Sequence, residues 1–193
     1  MSQTIINLAK AFVGESQARN RYDYYAKIAK KEGFEQIAEI FLITAGNEKV
    51  HAKRLFEHIQ ELKEKNEKLD VVNIETDAST IYGTTKENLK AAIAGEKHEH
   101  SKMYPEFAKV AKKEGYNKIA ARFKAIAMAE VHHEERFKKI LKEVETKTIF
   151  KKNKETWWVC RECGYIHFGT QPPKLCPACD HPQAYYQVVC EKY

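Results

Sequence analysis

"GESQARNRYDYYAKIAKKEGF" spans Gly14–Phe34, and "GEKHEHSKMYPEFAKVAKKEGY" spans Gly95–Tyr116. From Tyr25 and Phe107 onward the two run in step at an offset of 82, "YAKIAKKEGF" against "FAKVAKKEGY", with seven of ten residues identical. The register continues through Ile37/Ile119, Ala38/Ala120, Phe41/Phe123, Ala45/Ala127, Glu48/Glu130 and His51/His133. The segment before residue 147 is therefore an internal duplication. A unit this long, present twice, is not a solenoid repeat. Upstream the copies differ in length: Glu15 to Tyr25 is a step of 10 and Glu96 to Phe107 a step of 11.

Each copy reads as two amphipathic helices parted by "KKEG", with Gly33 and Gly115 as C-terminal caps. Apolar residues recur at helical spacing: Leu8, Phe12, Tyr22, Tyr25 and Ala29; Ala38, Phe41, Ala45, Leu55 and Leu62; Leu89, Ala92, Met103, Phe107 and Val110; Phe123, Ile126, Phe137, Ile140 and Val144. Four such helices predict an all-α four-helix bundle over residues 1–146, with Glu64–Thr85 as a long crossover between the second and third helices. A linker is expected over 147–155 and a compact cysteine-rich module over 156–193.

On every apolar stripe a glutamate interrupts the hydrophobic run: Glu15, Glu48, Glu96 and Glu130. Two of them continue as E-x-x-H, Glu48/His51 and Glu130/His133, a spacing that turns both side chains to one face. A single inward glutamate is usually a satisfied or edge residue. Four, at matching places in two repeats, need a shared counter-charge, because an unpaired buried carboxylate is too costly to keep ionised. One Glu from each of two helices and E-x-x-H from each of the other two form the ligand set of a di-iron or di-manganese bundle.

The extra residue of the second copy must be absorbed within the third helix, and a π-bulge is the expected device. Beside it stands Glu99, where the first copy has Gln17 or Ala18. Glu99 is expected to make the two metals inequivalent and to trade places with His51 as the redox state changes. Tyr22 and Tyr104 fall near the ligand layer, as core residues or as donors to ligand carboxylates. His98, His100 and His132 sit next to ligands but are directed elsewhere on their helices, and His58, His167 and His181 are expected at the surface.

All five cysteines follow residue 159, and Cys160-x-x-Cys163 and Cys176-x-x-Cys179 make a closed tetrahedral site for iron or zinc. Zinc would make the module structural, and iron would make it a one-electron carrier. Cys190 is left as a free thiol. The absence of a basic leader before an apolar stretch predicts a reducing cytoplasm, where paired C-x-x-C reads as metal-binding. No run approaches the ~20 apolar residues of a membrane span. Net charge is +6, with 7 Lys/Arg against 4 Asp/Glu in residues 147–193 and 26 against 23 elsewhere. So diffuse an excess argues against nucleic-acid binding.

"GESQARNRY", the two E-x-x-H motifs, "GEKHEH" and "CRECGY…LCPAC" together resemble the rubrerythrin family over essentially the whole chain. The resemblance implies a ferritin-like di-iron domain joined to a C-terminal rubredoxin-like domain. It implies that Glu15, Glu48, Glu96, Glu99, Glu130, His51 and His133 bind two irons, that Glu48 and Glu130 bridge them, and that Cys160, Cys163, Cys176 and Cys179 hold one iron. It further implies reduction of hydrogen peroxide to water in the cytoplasm, and a homodimer in which one subunit's rubredoxin-like domain approaches the other's di-iron site. Exchange of helices between subunits stays open. Electrons would come from an external rubredoxin or NAD(P)H-dependent reductase, since the chain has neither G-x-G-x-x-G nor a P-loop.

Two rival classes remain. A ferroxidase or iron-storage protein of ferritin type would use the same four helices but leaves Glu99 and the cysteines without a role. A nucleic-acid-binding zinc ribbon leaves the glutamates unexplained.

Overall fold

The computed structural model describes residues 1–64 and 70–191. Its helices are α1 (Gln3–Lys31), α2 (Glu35–Lys63), α3 (Thr85–His98), α4 (Tyr104–Lys113) and α5 (Asn117–Glu145). A π-helical turn, Glu99–Met103, joins α3 to α4 without a break, so α3, the turn and α4 form the third helix of a four-helix bundle. The expected bulge thus lies three residues beyond Glu96. Ser2 caps α1, and Thr84 with Glu87 forms a capping box that starts α3. Both repeats turn at glycines held at positive φ, Gly33 at 81° and Gly115 at 86°, a conformation in which a Cβ would be strained.

The apolar stripes meet in two clusters. Leu8, Leu55, Tyr104 and Phe123 belong to one, and Tyr25, Phe41, Leu89 and Phe137 to the other. Each such side chain contributes about 1.5–3 kcal/mol when fully buried. The glutamate layer lies between the clusters in sequence on every helix. Apolar packing on both sides therefore holds the polar layer in place.

The crossover runs the length of the bundle. Val72 and Ile74 pack on the cluster around Leu8, the Tyr25 hydroxyl donates to the Ile81 carbonyl at 2.8 Å, and Thr85 N–H donates to Glu32 at the far end of α1 at 3.1 Å. Residues 65–69 of this expected crossover lie outside the described residues.

After α5 the chain forms a small antiparallel sheet of β1 (Thr156–Cys160), β2 (Ile166–Gly169) and β3 (Tyr186–Val188), in the order β2–β1–β3. Trp158 is its buried centre and donates from Nε1 to the Gly169 carbonyl at 2.9 Å. The module meets the bundle through Arg161 and Glu39, 2.6 Å apart, and the segment leading to it packs on the bundle through the stacked rings of Phe34 and Phe150. Among the described residues no helix is long and apolar enough to cross a membrane.

One expectation is corrected. His58 is buried, not at the surface, with Nδ1 3.1 Å from Glu61. Helical spacing puts it on the same buried face as Leu55, Ile59 and Leu62.

Candidate metal centres

The polar layer draws on every long helix: Glu15 from α1, Glu48 and His51 from α2, Glu96 from α3, Glu130 and His133 from α5. Their ligand atoms form two groups, Glu15/Glu48/His51/Glu130 and Glu48/Glu96/Glu130/His133, with all atoms of a group within 4.8 Å of one another. Glu48 and Glu130 belong to both. The imidazoles present Nδ1. His51 Nδ1 is 2.8 Å from Glu48 and 3.0 Å from Glu130; His133 Nδ1 is 3.1 Å from Glu48, 2.7 Å from Glu130 and 3.5 Å from Glu96.

This layer fits a pair of cations better than it fits itself. Glu15 Oε2, Glu48 Oε1, Glu96 Oε2, both Glu130 oxygens and His133 Nδ1 are buried without a well-directed hydrogen bond, close though the imidazole nitrogens come to the carboxylates. Such groups normally find partners. Here the lone pairs converge on common points instead of on donors.

The electrostatics agree. Burial, then the charges of Glu99, Glu48 and Glu130, push the Glu15 carboxyl well above the usual carboxylate range, against the pull of the Tyr104 hydroxyl. Burial pushes Glu96 up to about 8, with His133 opposing and Glu48 and Glu130 adding. Burial also opposes ionisation of Glu48, yet His133 and His51 bring it down to about 2. Burial opposes the charged imidazoles, yet Glu130 and Glu48 raise His51 to about 9, and with Glu96 they raise His133 to about 12. Lacking another cation, the cluster would take up protons in its place.

Tyr22 and Tyr104, related by the offset of 82, cross the layer reciprocally. The Tyr22 hydroxyl donates to Glu96 Oε1 at 2.5 Å, and the Tyr104 hydroxyl donates to Glu15 Oε1. This explains the extra residue. Glu15 to Tyr22 is a step of 7, two ordinary turns, whereas Glu96 to Tyr104 is a step of 8. The π-turn absorbs the difference, and Tyr104 N–H bonds back to the Glu99 carbonyl. Both tyrosines thereby reach equivalent places.

Glu99 itself belongs to neither four-residue group. Burial, then Glu96, Glu130 and Glu48, hold its carboxyl well above the usual range, and it is the charge that most raises Glu15. It also lines a cavity of about 740 Å³ with Gln17, Arg21, Asp77 and His98.

The second centre is built by two matching turns. Cys160 N–H donates to the Tyr165 carbonyl and Cys176 N–H to that of His181; Gly164 N–H and Asp180 N–H return to Cys160 and Cys176. Gly164 and Asp180 take positive φ at the same step, 77° and 57°. Cys160 Sγ is 3.8 Å from Cys179 Sγ, and Cys163 Sγ is 3.6 Å from Cys176 Sγ. Those separations match the edge of a tetrahedron around an ion with thiolates at about 2.3 Å. Burial pushes the Cys176 thiol up, but the Tyr186 hydroxyl, the Ala178 N–H and neighbouring thiols bring it down to about 6. Cys190 is exposed and stands apart from this group.

Sequence reasoning passed over two polar pairs. His100 Nε2 meets Glu134 at 2.7 Å, and Arg136 donates to Thr44 at 2.7 Å. Glu134 follows His133 directly and sits on a stretch already dense with charge, so no periodicity marked it as buried.

Comparison with known proteins agrees with this geometry. The rubrerythrin family model matches residues 7–141, and the rubrerythrin rubredoxin-like domain matches residues 158–187. A rubrerythrin-type protein of Methanocaldococcus jannaschii is 58% identical, the alignment covering 100% of this chain and 96% of the relative. The rubrerythrin of Nitratidesulfovibrio vulgaris is 45% identical over 97% of this chain and 95% of its own length. Among solved structures, fully reduced, all-ferrous nigerythrin superposes with a TM-score of 0.64 at 30% identity, covering 98% of this chain and 87% of that one. With its carboxylate–histidine di-iron site in a ferritin-like bundle and its rubredoxin-like four-cysteine iron site, the chain belongs to the rubrerythrin family.

Proposed function

We propose that this protein is a hydrogen peroxide reductase that protects against oxidative stress, producing water with electrons passed from an external donor protein through the four-cysteine site. The donor is a rubredoxin or an NAD(P)H-dependent reductase. The observation that carries the reading is the joint presence of a shared-carboxylate site, an additional carboxylate on the π-turn three residues beyond Glu96, and a four-thiolate site in one chain. A ferritin-type role has no use for the last two.

The roles divide by position. Glu15, Glu48 and Glu130 with His51 would hold one iron, and Glu96, Glu48 and Glu130 with His133 the other. When bound, the iron pair supplies the two electrons for cleavage of the O–O bond. Glu99, on the π-turn three residues beyond Glu96, would be the further ligand that trades places with His51 between redox states. Tyr22 and Tyr104 orient Glu96 and Glu15 and can donate a proton toward the layer. Apolar packing on both sides keeps bulk water out. The cavity at Glu99 supports entry of a small oxidant from that side.

The reading includes a cytoplasmic location, the division into 1–146, 147–155 and 156–193, and a homodimer. Leu42, Ile43 and Val50, exposed on α2, support the last of these.

The test is anaerobic reoxidation. The iron-loaded, fully reduced protein receives stoichiometric hydrogen peroxide while the visible ferric–thiolate band is followed. Return of the band much faster than with dissolved oxygen is expected. Faster return with oxygen would move the assignment to a ferroxidase of ferritin type.

A further inference from the structure

The π-turn carries one pair that this chemistry does not use. His100 Nε2 lies 2.7 Å from Glu134 Oε2 on α5, and Lys138 Nζ reaches Glu134 Oε1 at 2.5 Å. Glu134 is buried, and both contacts are charge-assisted when the partners are ionised. The internal repeat provides a comparison within the molecule. At the offset of 82, Glu134 corresponds to Ala52 and Lys138 to Phe56, while His100 falls opposite Ala18 or Arg19. The first half therefore has no equivalent pair. The extra residue, Glu99 and the His100–Glu134–Lys138 chain occur together, and only in the second half.

A π-turn gives up the regular helical register and persists only where its surroundings over-determine it. Apolar burial does little of that here. None of Glu99–Met103 is fully buried, and only Met103 packs on a core cluster. Among the described residues, the contact from His100 to Glu134 is the side-chain hydrogen bond that ties the turn to α5, one residue from Glu99.

We propose that His100 is a positioning residue: anchored through Glu134, it pins the π-turn to α5 in the register that holds Glu99 beside the metal pair. This rests on Glu99 serving the metals, not on which oxidant is reduced. A plain helix-stabilising role would affect the whole bundle. This role affects the turn and the ligand it carries.

The full chain is compared with His100→Leu, which removes the contact, and with His100→Gln, whose amide can still donate to Glu134. In metal-free protein, hydrogen exchange at the amides of residues 99–104 should quicken roughly tenfold or more in His100→Leu, by local opening, and stay near the parent rate in His100→Gln. In iron-loaded protein, the oxidised di-iron absorption of His100→Leu should move to that of Glu99→Gln, and His100→Gln should retain the parent spectrum. Unchanged exchange in His100→Leu, or a parent-like spectrum, would overturn the proposal. A Glu99→Gln spectrum identical to the parent would remove Glu99 from the metals and overturn it too, leaving the peroxide reading to its own test. If His100→Leu does not fold, Glu134→Leu, which removes the acceptor, gives the same decision from the other side of the contact.

Discussion

The Tyr22 hydroxyl donates to Glu96 Oε1 at 2.5 Å across 74 residues of chain, and Tyr104 returns the contact from the second half to Glu15. Each repeat thus supplies the hydroxyl that holds the other repeat's carboxylate. Removing either hydroxyl leaves a buried oxygen without a donor. Tyr22→Phe and Tyr104→Phe should each lower the stability of the metal-free protein by about 1–3 kcal/mol. The loss should be smaller with iron bound, because the ion then holds the carboxylate. Urea unfolding of both forms checks this.

Glu48 and Glu130 belong to both ligand groups, whereas Glu15 and Glu96 belong to one each. Glu48→Gln and Glu130→Gln should therefore weaken both iron positions, and Glu15→Gln or Glu96→Gln mainly one. Metal analysis after anaerobic reconstitution should find the bundle nearly empty in the first pair of variants and about half filled in the second. Equal losses in all four would contradict the sharing.

Proton linkage sets a pH dependence in the metal-free protein. His51 is raised from an ordinary value of 6.5 to about 9, and Glu96 from 4.5 to about 8. The folded state thus holds more protons than the unfolded chain across this window. The His51 contribution is fully present below 6.5 and fades as pH rises through 9. Glu96 becomes a net penalty as pH climbs from 4.5 to 8. Stability of the metal-free protein should accordingly fall from pH 6.5 to pH 9. Iron displaces those protons, so its binding should release acid into a weakly buffered solution and tighten as pH rises. Thermal melts with and without iron, and a pH-indicator titration, test both signs.

Cys160 and Cys176 are buried in the module's core beside Trp158. Cys176→Ser should abolish the ferric–thiolate band and loosen the module, while helix content, set by α1–α5, stays within about 10% of the parent. Cys190→Ser should leave the band unchanged, since Cys190 lies outside the four-thiolate group. Visible absorption and far-ultraviolet circular dichroism separate the two effects.

The repeat, the six glutamates and histidines of the layer, the four cysteines and the presence of a π-bulge were legible in the chain, the helical elements because helical period alone decides which side chains share a face. Helical period says nothing of which face meets which. That Tyr22 reaches Glu96 while Tyr104 reaches Glu15, that Glu48 and Glu130 are shared, and that Glu99 stands outside both groups depend on the register of one helix against another. His58 was misplaced because a lone polar residue gives no signal against the apolar face that carries it. His100 and Glu134 meet across 34 residues, between an irregular turn and a regular helix. Local pattern determined the elements and the donor atoms; only packing decided which of those atoms would face one another.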